Sequence, residues 1–418
     1  MMRNMDHKTE KRLHRLMQTA YDETPHFNNL INELIDDTDE IGVQLFHKLP
    51  VFSKQTIRNI GWPNFISTNY LDEKFEPNYS KGARSERTSG TTGIPMQIIW
   101  DENDYFSSVM NHWKFRSKTY GITPQSKMCT SLKNLPGDKL FQIQNNKLTI
   151  SIKRLNYDTV PQIIEAINQF SPEWLYMQNS ILYVLVYVAK KLGLSFPASI
   201  RYIEYIGEPI CQFYREQISQ LVPVASSNMY GCVETNGISY ECSCGKNHIL
   251  TDNVFVEIVN PQGVPNKDNM PGFVCVTGLH NTAMPMIRYR LNDLATINHG
   301  MNCPCGNSAP VIDIQAARMP EFLVLDDAKT YSKACLYAPI NSGMKLTDVE
   351  SNDILFNFKM NSLDDYVISV YQPPKTDISI EKTLQELFFA YGLPKIRFSI
   401  SNAEEMDPSK SVGLLRMR

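Results

Sequence analysis

The sequence predicts an α/β protein: a large N-terminal domain of mixed β-sheets and helices with a β-rich subdomain, followed by a small α+β C-terminal domain. Strand-like apolar runs alternate with helical patterns between residues 96 and 231. Strands separated by Asn, Pro and Gly turns follow from residue 254, and strands with one helix fill the last part of the chain. A length of 418 residues suggests roughly two or three domains with a large core.

Hydrophobic periodicity places the individual elements. The first part of the chain, to about residue 80, reads as helices and loops, and Leu13, Leu16, Met17 and Ala20 share one face of an amphipathic helix. Further helices are predicted around 105–120, 160–170, 180–192 and 381–391, and Gly193 is expected to end the third of these. Strands are predicted at 96–100, 147–152, 202–206, 228–231, 254–259, 273–277, 286–289, 322–325, 366–371 and 396–400.

Composition and charge exclude several classes of protein. Charged residues make up 20% and hydrophobic residues 42% of the chain, which is typical of globular proteins and not of disordered or collagenous ones. The net charge of -3 lacks the basic excess of a general nucleic-acid binder. The most apolar stretch, 181–189, is too short to span a bilayer, and the charged N-terminus does not resemble a signal peptide. We therefore expect a cytoplasmic protein that acts on small molecules and not on nucleic acid or membrane; a homodimer remains open.

A polar glycine block is the first candidate site. Its glycines let the backbone turn tightly and point N–H groups at an anion, and its hydroxyls add donors for phosphate oxygens. Ile94 follows the second glycine, so the block is not the phosphate loop that ends in Gly-Lys-Ser/Thr. An ordinary polar surface turn would look the same. The block consists of Thr88, Ser89, Gly90, Thr91, Thr92 and Gly93.

Two further blocks place polar side chains beside strands. In Tyr230-Gly231, the aromatic ring can stack on a flat ligand, and Glu234 beside Thr235 can hold a divalent cation. The run 286–294 reads as a strand that delivers two basic residues and then Asp293, whose carboxylate can accept both hydroxyls of a ribose. Each block alone is also compatible with a strand end or a charged strand edge.

In this order, the three blocks resemble those of the acyl-adenylate-forming (AMP-binding) enzymes, specifically the phenylacetate–coenzyme A ligase branch. The resemblance covers almost the whole chain and begins at LPVFSK, residues 49–54. It includes Gly207-Glu208-Pro209. Its most specific part is AMPMIRYR, residues 283–290, with Asp293, because the family carries a similar A-M-P-x-I-R-Y-R-x-x-D run.

The resemblance implies that ATP activates a small carboxylic acid, expected to be aromatic or otherwise apolar, to acyl-AMP with release of pyrophosphate. The acyl group would then pass to the thiol of coenzyme A or of a carrier protein's phosphopantetheine. The glycine block would hold the ATP phosphates, Glu234 would hold Mg²⁺, and Gly207, Glu208, Pro209, Tyr230, Gly231, Thr235 and Asp293 would bind the rest of the nucleotide. The acid pocket would lie between the helix bearing His112-Trp113 and the Gly207 and Tyr230 segments. In the sequence, no basic cluster stands out for the 3′-phosphate of coenzyme A.

The resemblance also divides the chain into an adenylation domain at 1–316, a hinge at 317–320 and a small mobile domain at 321–418. Arg318 would contact ribose, and Lys410 is the nearest candidate for the family's adenylation lysine. If Gly413 matches the family's glycine, however, Leu414 takes the lysine position. Pro320 departs from the family's hinge and restricts φ there. The alternative is therefore a degenerate nucleotide-binding scaffold or regulator.

Two C-x-C-G knuckles between about residues 240 and 306 predict a structural zinc site. Four thiolates from two turns form a closed tetrahedral site, and His248 can replace either upstream thiol. The alternative is a set of free thiols, whereas disulfides fit a cytoplasmic chain poorly. The candidate ligands are Cys242, Cys244, His248, Cys303 and Cys305.

Overall fold

The computed structural model describes residues 6–37, 40–88, 96–132, 135–155, 158–208, 210 and 212–316, and in the C-terminal region the strands 322–324, 330–332, 353–362, 365–372, 397–402 and 413–416. The chain forms two compact units. The first consists of Met1–Thr119 and Met229–Arg318. The second consists of Tyr120–Asn228 and Met319–Arg418.

The α-helices in chain order are α1 (His7–Glu23), α2 (Pro25–Asn32), α3 (Val43–Lys48), α4 (Lys54–Ile60), α5 (Glu102–Tyr120), α6 (Val160–Phe170), α7 (Asn179–Leu192) and α8 (Gln212–Leu221). The strands are β1 (Ala83–Arg87), β2 (Gln97–Asp101), β3 (Met128–Leu132), β4 (Phe141–Gln144), β5 (Lys147–Ser151), β6 (Trp174–Met177), β7 (Tyr202–Ile206), β8 (Ala225–Cys232), β9 (Asn236–Glu241), β10 (Asn247–Ile249), β11 (Val254–Val259), β12 (Gly272–Gly278), β13 (Tyr289–Asn298), β14 (Val311–Ala316), β15 (Phe322–Val324), β16 (Thr330–Ser332), β17 (Asp353–Ser362), β18 (Asp365–Gln372), β19 (Arg397–Asn402) and β20 (Gly413–Arg416). Short 3₁₀ turns lie at Trp62–Phe65, Thr68–Tyr70, Tyr79–Lys81, Pro136–Asp138 and Ile152–Arg154.

Local sequence explains the N-terminal helices. Asp6 caps α1 by accepting the backbone N–H of Thr9 at 2.9 Å, and the predicted apolar face of this helix is buried. Pro25 then starts α2, at the first helical position, where its missing N–H is not needed. Ser53 begins α4 with a reciprocal capping box through Thr56.

The first unit contains an antiparallel sheet in the order β11-β12-β13-β14-β10-β9-β8 and a separate β1-β2 hairpin. The apolar faces of the N-terminal helices and of these strands share one hydrophobic core. This arrangement places the β8-β9 turn and β13, which carry two of the three sequence blocks, in the same unit.

The second unit contains the parallel strands β7-β6-β3-β5 with β4 added antiparallel at the edge. Helices α6, α7 and α8 pack their apolar faces into its core, which includes Ile163, Leu182 and Tyr214. Gly193 ends α7 in the left-handed region at φ 66°, as predicted. In the C-terminal region, β15 pairs with β16, and four strands pair in the order β19-β18-β17-β20.

The predicted α/β class is confirmed, and the helix predicted at 160–170 has those bounds. The strand predicted at 286–289 is wrong, because β13 begins only at Tyr289 and continues to Asn298. Arg288 lies in the left-handed region at φ 56°, so the backbone is not extended at this residue. Its guanidinium donates to Glu257. The helix predicted at 381–391 lies outside the described residues. No helix in the described ranges is long and apolar enough to cross a bilayer.

Candidate functional site

The β8-β9 turn presents Glu234 and Thr235 between two paired strands. Asn236 adopts a left-handed backbone at φ 61° to close the turn. A Cβ at Gly231 would lie 2.5 Å from the carbonyl oxygen of Asn236, so only glycine allows this close approach. The buried Trp100 donates its indole N–H to the carbonyl oxygen of Val233 at 3.3 Å. The turn is thus fixed by its own backbone and by β2.

Two tyrosines connect this turn region to β13. The hydroxyl of Tyr230 donates to Asp293 Oδ2 at 2.7 Å, and the hydroxyl of Tyr289 donates to Glu234 Oε1 at 3.1 Å. Burial and the negative charge of Asp293 raise the pKa of Tyr230 well above its ordinary value, and burial with Glu234 does the same for Tyr289. Both phenols therefore remain protonated donors that orient the two carboxylates. The structure brings together Tyr230, Glu234 and Asp293, as the sequence predicted.

Thr88, the first residue of the glycine block, forms hydrogen bonds with Met96 and Lys54. The backbone N–H of Thr88 donates to the carbonyl oxygen of Met96 at 2.9 Å, and the Thr88 hydroxyl accepts the N–H of Met96 at 2.8 Å. Lys54 Nζ donates to the same hydroxyl at 3.2 Å. Residues 89–95 lie outside the described residues, so the predicted phosphate contacts of Ser89, Gly90, Thr91, Thr92 and Gly93 stay predictions. Lys54 gives this loop a nearby cation to which sequence reasoning assigned no role, although it ends the LPVFSK run.

The remaining candidate nucleotide residues lie elsewhere in the chain. In the second unit, Gly207 follows β7 with φ 74°, a conformation that favours glycine, and Glu208 comes next. Pro209, Arg318 and Lys410 lie outside the described residues.

Buried polar side chains of α5 form hydrogen bonds with the first residues of β9, next to the β8-β9 turn. His112 Nε2 accepts the backbone N–H of Gly237 at 3.1 Å and lies 3.2 Å from Asn253 Nδ2. The Asn236 side chain donates to Ser108 Oγ at 2.6 Å. A Cβ at Gly237 would lie 2.3 Å from His112 Nε2, so the two residues fit only with glycine at that position. The ring of His112, predicted beside an acid pocket, is thus engaged by the backbone next to Glu234.

Neutral His112 predicts a pH dependence of stability. Burial, with a smaller contribution from Arg116, lowers the pKa of His112 to about 3 from an ordinary value of 6.5. Between these two pH values, the unfolded chain therefore binds about one more proton than the folded chain. The stability that neutral His112 contributes is complete above pH 6.5 and is lost as the pH falls toward 3. As the pH is lowered near 5.5, the free energy of unfolding of the wild type should therefore decrease faster than that of His112→Gln. We expect the two slopes to differ by about 1.2 kcal/mol per pH unit.

Urea unfolding between pH 5 and 6.5 measures these slopes. His7→Gln is the matched control, because His7 is exposed at the start of α1. Equal slopes for the wild type and His112→Gln would contradict a buried neutral His112.

Four side chains between β9 and β14 form a candidate metal centre: Cys242, His248, Cys303 and Cys305 place one potential ligand atom each within 4.8 Å of all the others. The sulfurs of Cys242 and Cys303 are 3.7 Å apart, and Cys305 Sγ lies 3.4 Å from His248 Nε2. Around a tetrahedral zinc ion, two sulfurs would be about 3.8 Å apart, and a sulfur and a nitrogen about 3.6 Å. These two distances agree with tetrahedral zinc to about 0.2 Å, and every other pair among the four ligand atoms lies within 4.8 Å.

The orientation of His248 also fits metal binding. Its Nδ1 lies 2.9 Å from the carbonyl oxygen of Ala309, which can only accept, so Nδ1 carries the proton and Nε2 keeps its lone pair toward the thiols. Cys244 is exposed and is not one of the four clustered residues. Of the five candidates, the structure therefore groups His248 with three thiols.

The sequence is similar to those of phenylacetate-coenzyme A ligases. The chain is 26% identical over 337 residues to a phenylacetate-coenzyme A ligase of Thermus thermophilus, which covers 77% of this chain and 72% of the relative. It is 24% identical over 308 residues to one of Escherichia coli, which covers 69% and 66%. No family model matches.

The fold resembles that of solved adenylate complexes. A 2-hydroxyisobutyryl-CoA ligase in the postadenylation state, in complex with R3-HIB-AMP, superposes with a TM-score of 0.67 at 14% identity over 96% of this chain and 87% of that one. McyG A-PCP complexed with phenylalanyl-adenylate gives a TM-score of 0.51 at 13% identity over 80% and 56%.

Proposed function

We propose that this chain is a member of the acyl-adenylate-forming superfamily, similar to its phenylacetate–coenzyme A ligase branch, and that it is an ATP-dependent acid–thiol ligase. The acid would be small and aromatic or otherwise apolar. The observation that carries the proposal is the paired arrangement of Tyr230 with Asp293 and of Tyr289 with Glu234, which holds two carboxylates in fixed orientations. Coenzyme A is the favoured acceptor, because the curated relatives are coenzyme A ligases.

In the first half-reaction, a carboxylate oxygen of the acid attacks the α-phosphorus of ATP, and the bond to the leaving pyrophosphate breaks. Asp293, held by Tyr230, would accept the ribose hydroxyls, since a carboxylate has about four lone-pair positions. Glu234, held by Tyr289, would bind Mg²⁺, which prefers oxygen ligands and neutralises phosphate charge. In this scheme the protein contributes chiefly positioning and fixed charge.

In the second half-reaction, the thiol sulfur attacks the acyl carbonyl carbon, the bond to AMP breaks, and the thiol proton passes to solvent. The glycine block at 88–93, with Lys54 at its base, would hold the ATP phosphates during the first step. The roles of Gly207, Glu208, Pro209, Arg318 and Lys410, and the division into domains at 1–316 and 321–418, remain part of the proposal.

Acid-dependent exchange of labelled pyrophosphate into ATP tests the first half-reaction directly. We expect exchange with at least one small aryl or apolar acid and none without acid. The acid is required because acyl-AMP forms only from acid and ATP, and label enters ATP when this step runs in reverse. AMP release should then require coenzyme A. A folded protein that binds ATP but exchanges no pyrophosphate across a panel of aryl, fatty and amino acids would instead be a nucleotide-binding scaffold. AMP release with a phosphopantetheinylated carrier protein, but not with coenzyme A, would reassign the acceptor.

We also propose that Cys242, His248, Cys303 and Cys305 hold one structural Zn²⁺. Four protein ligands leave no open coordination position, so the ion would join the β9-β10 region to the segment before β14 and take no part in the reaction. The distances among the four ligand atoms and the proton on His248 Nδ1 support this role.

Metal analysis of variants tests the ligand set. We expect about one zinc ion per chain in the wild type and in Cys244→Ser, and loss of the ion in Cys303→Ser, because a structural zinc site needs all four ligands. Cys244→Ser is the matched control, since Cys244 lies in the same knuckle but outside the cluster. Retention of zinc by His248→Ala together with its loss from Cys244→Ser would show that the four thiols bind the ion.

A further inference from the structure

A cavity of about 380 Å³ lies in the first unit, away from the residues of the proposed nucleotide site. Three segments line it: the end of α3 with the residues that follow at 47–51, the turn at 261–265, and Arg288 with Arg290. Its volume falls within the range of small-molecule sites, roughly 300–1,000 Å³. Its lining includes none of Tyr230, Glu234 and Asp293.

Two cations without an ion-pair partner within the described ranges lie in the lining of the cavity. Its lining contains His47, Lys48, Arg288 and Arg290 and no carboxylate. Arg288 is already satisfied: Nε donates to Glu257 Oε2 at 3.0 Å, and the other guanidinium nitrogens reach the carbonyl oxygens of Leu49 and Gly263. Among the described residues, neither Lys48 nor Arg290 forms an ion pair. Two unpaired cations thus face one cavity in a chain whose net charge is -3.

Two buried nitrogens of the lining residues have no hydrogen-bond partner in the described part of the protein: Arg290 Nε and His47 Nε2. Arg290 is held in place nonetheless, because its guanidinium stacks over Phe273 at 5.1 Å and Nη1 donates to the carbonyl oxygen of Pro261 at 3.3 Å. Buried polar groups in native proteins nearly always have a partner, so an unpaired buried donor beside a cavity indicates a bound group or water. The guanidinium is therefore positioned but not fully satisfied.

The geometry of β13 separates this cavity from the nucleotide residues. Successive side chains of a strand point to opposite faces, and Tyr289 points toward Glu234. Arg290, the next residue, therefore projects from the other face of β13. A ligand held by Arg290 and Lys48 would not compete with a ribose at Asp293.

We propose that this cavity binds the phosphate group of a phosphorylated small molecule, with Lys48 and Arg290 as its cationic ligands. Phosphate carries about two negative charges at pH 7, which matches the two unpaired cations better than a single carboxylate does. The planar fork of Arg290 can donate two hydrogen bonds to one phosphate, and Lys48 adds a point charge. The phosphate can belong to a free ion, such as inorganic phosphate or pyrophosphate, or to an ester on a nucleotide.

Equilibrium binding to the full chain, without turnover, tests the proposal separately from the proposed ligase activity. The probes are inorganic phosphate, pyrophosphate, adenosine 3′,5′-bisphosphate and benzoate. The variants are Lys48→Gln, Arg290→Gln and the double substitution, and Lys190→Gln on the surface of α7 is the matched control. A thermal scan checks that the variants stay folded. Lys48→Gln should unfold at the wild-type temperature, because Lys48 is exposed. Arg290→Gln should unfold at a somewhat lower temperature, because the guanidinium contacts with Phe273 and Pro261 are lost.

We expect at least one phosphate probe to bind the wild type and Lys190→Gln equally, with an affinity that falls as salt rises. Each single substitution should weaken this binding about tenfold or more, and the double substitution should weaken it further. Preference for the inorganic ions identifies a free-anion site, and preference for the bisphosphate identifies a nucleotide ester. The proposal is overturned if no phosphate probe binds, if the double variant binds as the wild type does, or if benzoate alone depends on Lys48 and Arg290.

Discussion

Glu257→Gln is expected to lower the free energy of unfolding by about 3–5 kcal/mol. Glu257 forms two hydrogen bonds with Arg288, from Nε at 3.0 Å and from Nη2 at 3.2 Å, and the two side chains are only 6% and 5% exposed. Glutamine has almost the same shape but no charge, so Arg288 would remain buried without a counterion. The cost would come from this uncompensated charge and not from a cavity.

Denaturant unfolding of the variant, compared with Glu86→Gln, measures this effect. Glu86 pairs with Arg84 at 2.8 Å, but these side chains are 34% and 37% exposed, and such surface pairs contribute only about 0–1 kcal/mol. Similar losses of stability for the two variants would show that burial does not control the energy of the Arg288 pair.

Glu234→Gln is expected to reduce acid-dependent pyrophosphate exchange by about 10²–10³-fold, because a single fixed group at developing phosphate charge is typically worth that much. Glutamine keeps an oxygen that can accept from Tyr289, so the fold of the β8-β9 turn should persist. The substitution removes the negative charge that would hold Mg²⁺. The loss should therefore appear in the rate of exchange while the unfolding temperature stays close to that of the wild type.

Glu165→Gln is the matched control for this experiment, because Glu165 lies on the surface of α6 and accepts a hydrogen bond from Gln169 of the same helix. Exchange by the control should equal that of the wild type. If Glu234→Gln retains exchange within about threefold of the wild type, Glu234 is not the magnesium ligand that the proposal requires.

The local elements were predictable because their determinants lie within a few residues of one another. The helix at 160–170 follows from Ile163, Ile164, Ile167 and Phe170, which share one helical face whatever the rest of the chain does. The same holds for α7 and its terminal Gly193. The beginning of β13 was not predictable, because the left-handed backbone of Arg288 is not marked in the local sequence and the partner of its side chain, Glu257, lies 31 residues away.

In the candidate sites, too, residue types could be predicted from the sequence, whereas contacts between distant segments could not. The roles proposed for Tyr230, Glu234 and Asp293 follow from residue type, order and the family resemblance. The tyrosine that orients each carboxylate could not be predicted, because those hydrogen bonds join β8 to β13 and β13 to the β8-β9 turn. Likewise, the sequence offered five candidate zinc ligands. The convergence of the four ligand atoms favours His248 over the exposed Cys244, and the carbonyl of Ala309 fixes the proton of His248 on Nδ1.

By itself, the sequence determined the α/β class, the helices with strong periodicity and the residue types from which a nucleotide site and a metal site can be built. These depend on side-chain chemistry and spacing along the chain, which the sequence states directly. Tertiary structure alone decided which carboxylate meets which tyrosine, which four ligand atoms converge, and that Lys48 and Arg290 share a basic cavity although no basic cluster stood out in the sequence. These arrangements join segments up to hundreds of residues apart, and their distances depend on how the strands and helices pack.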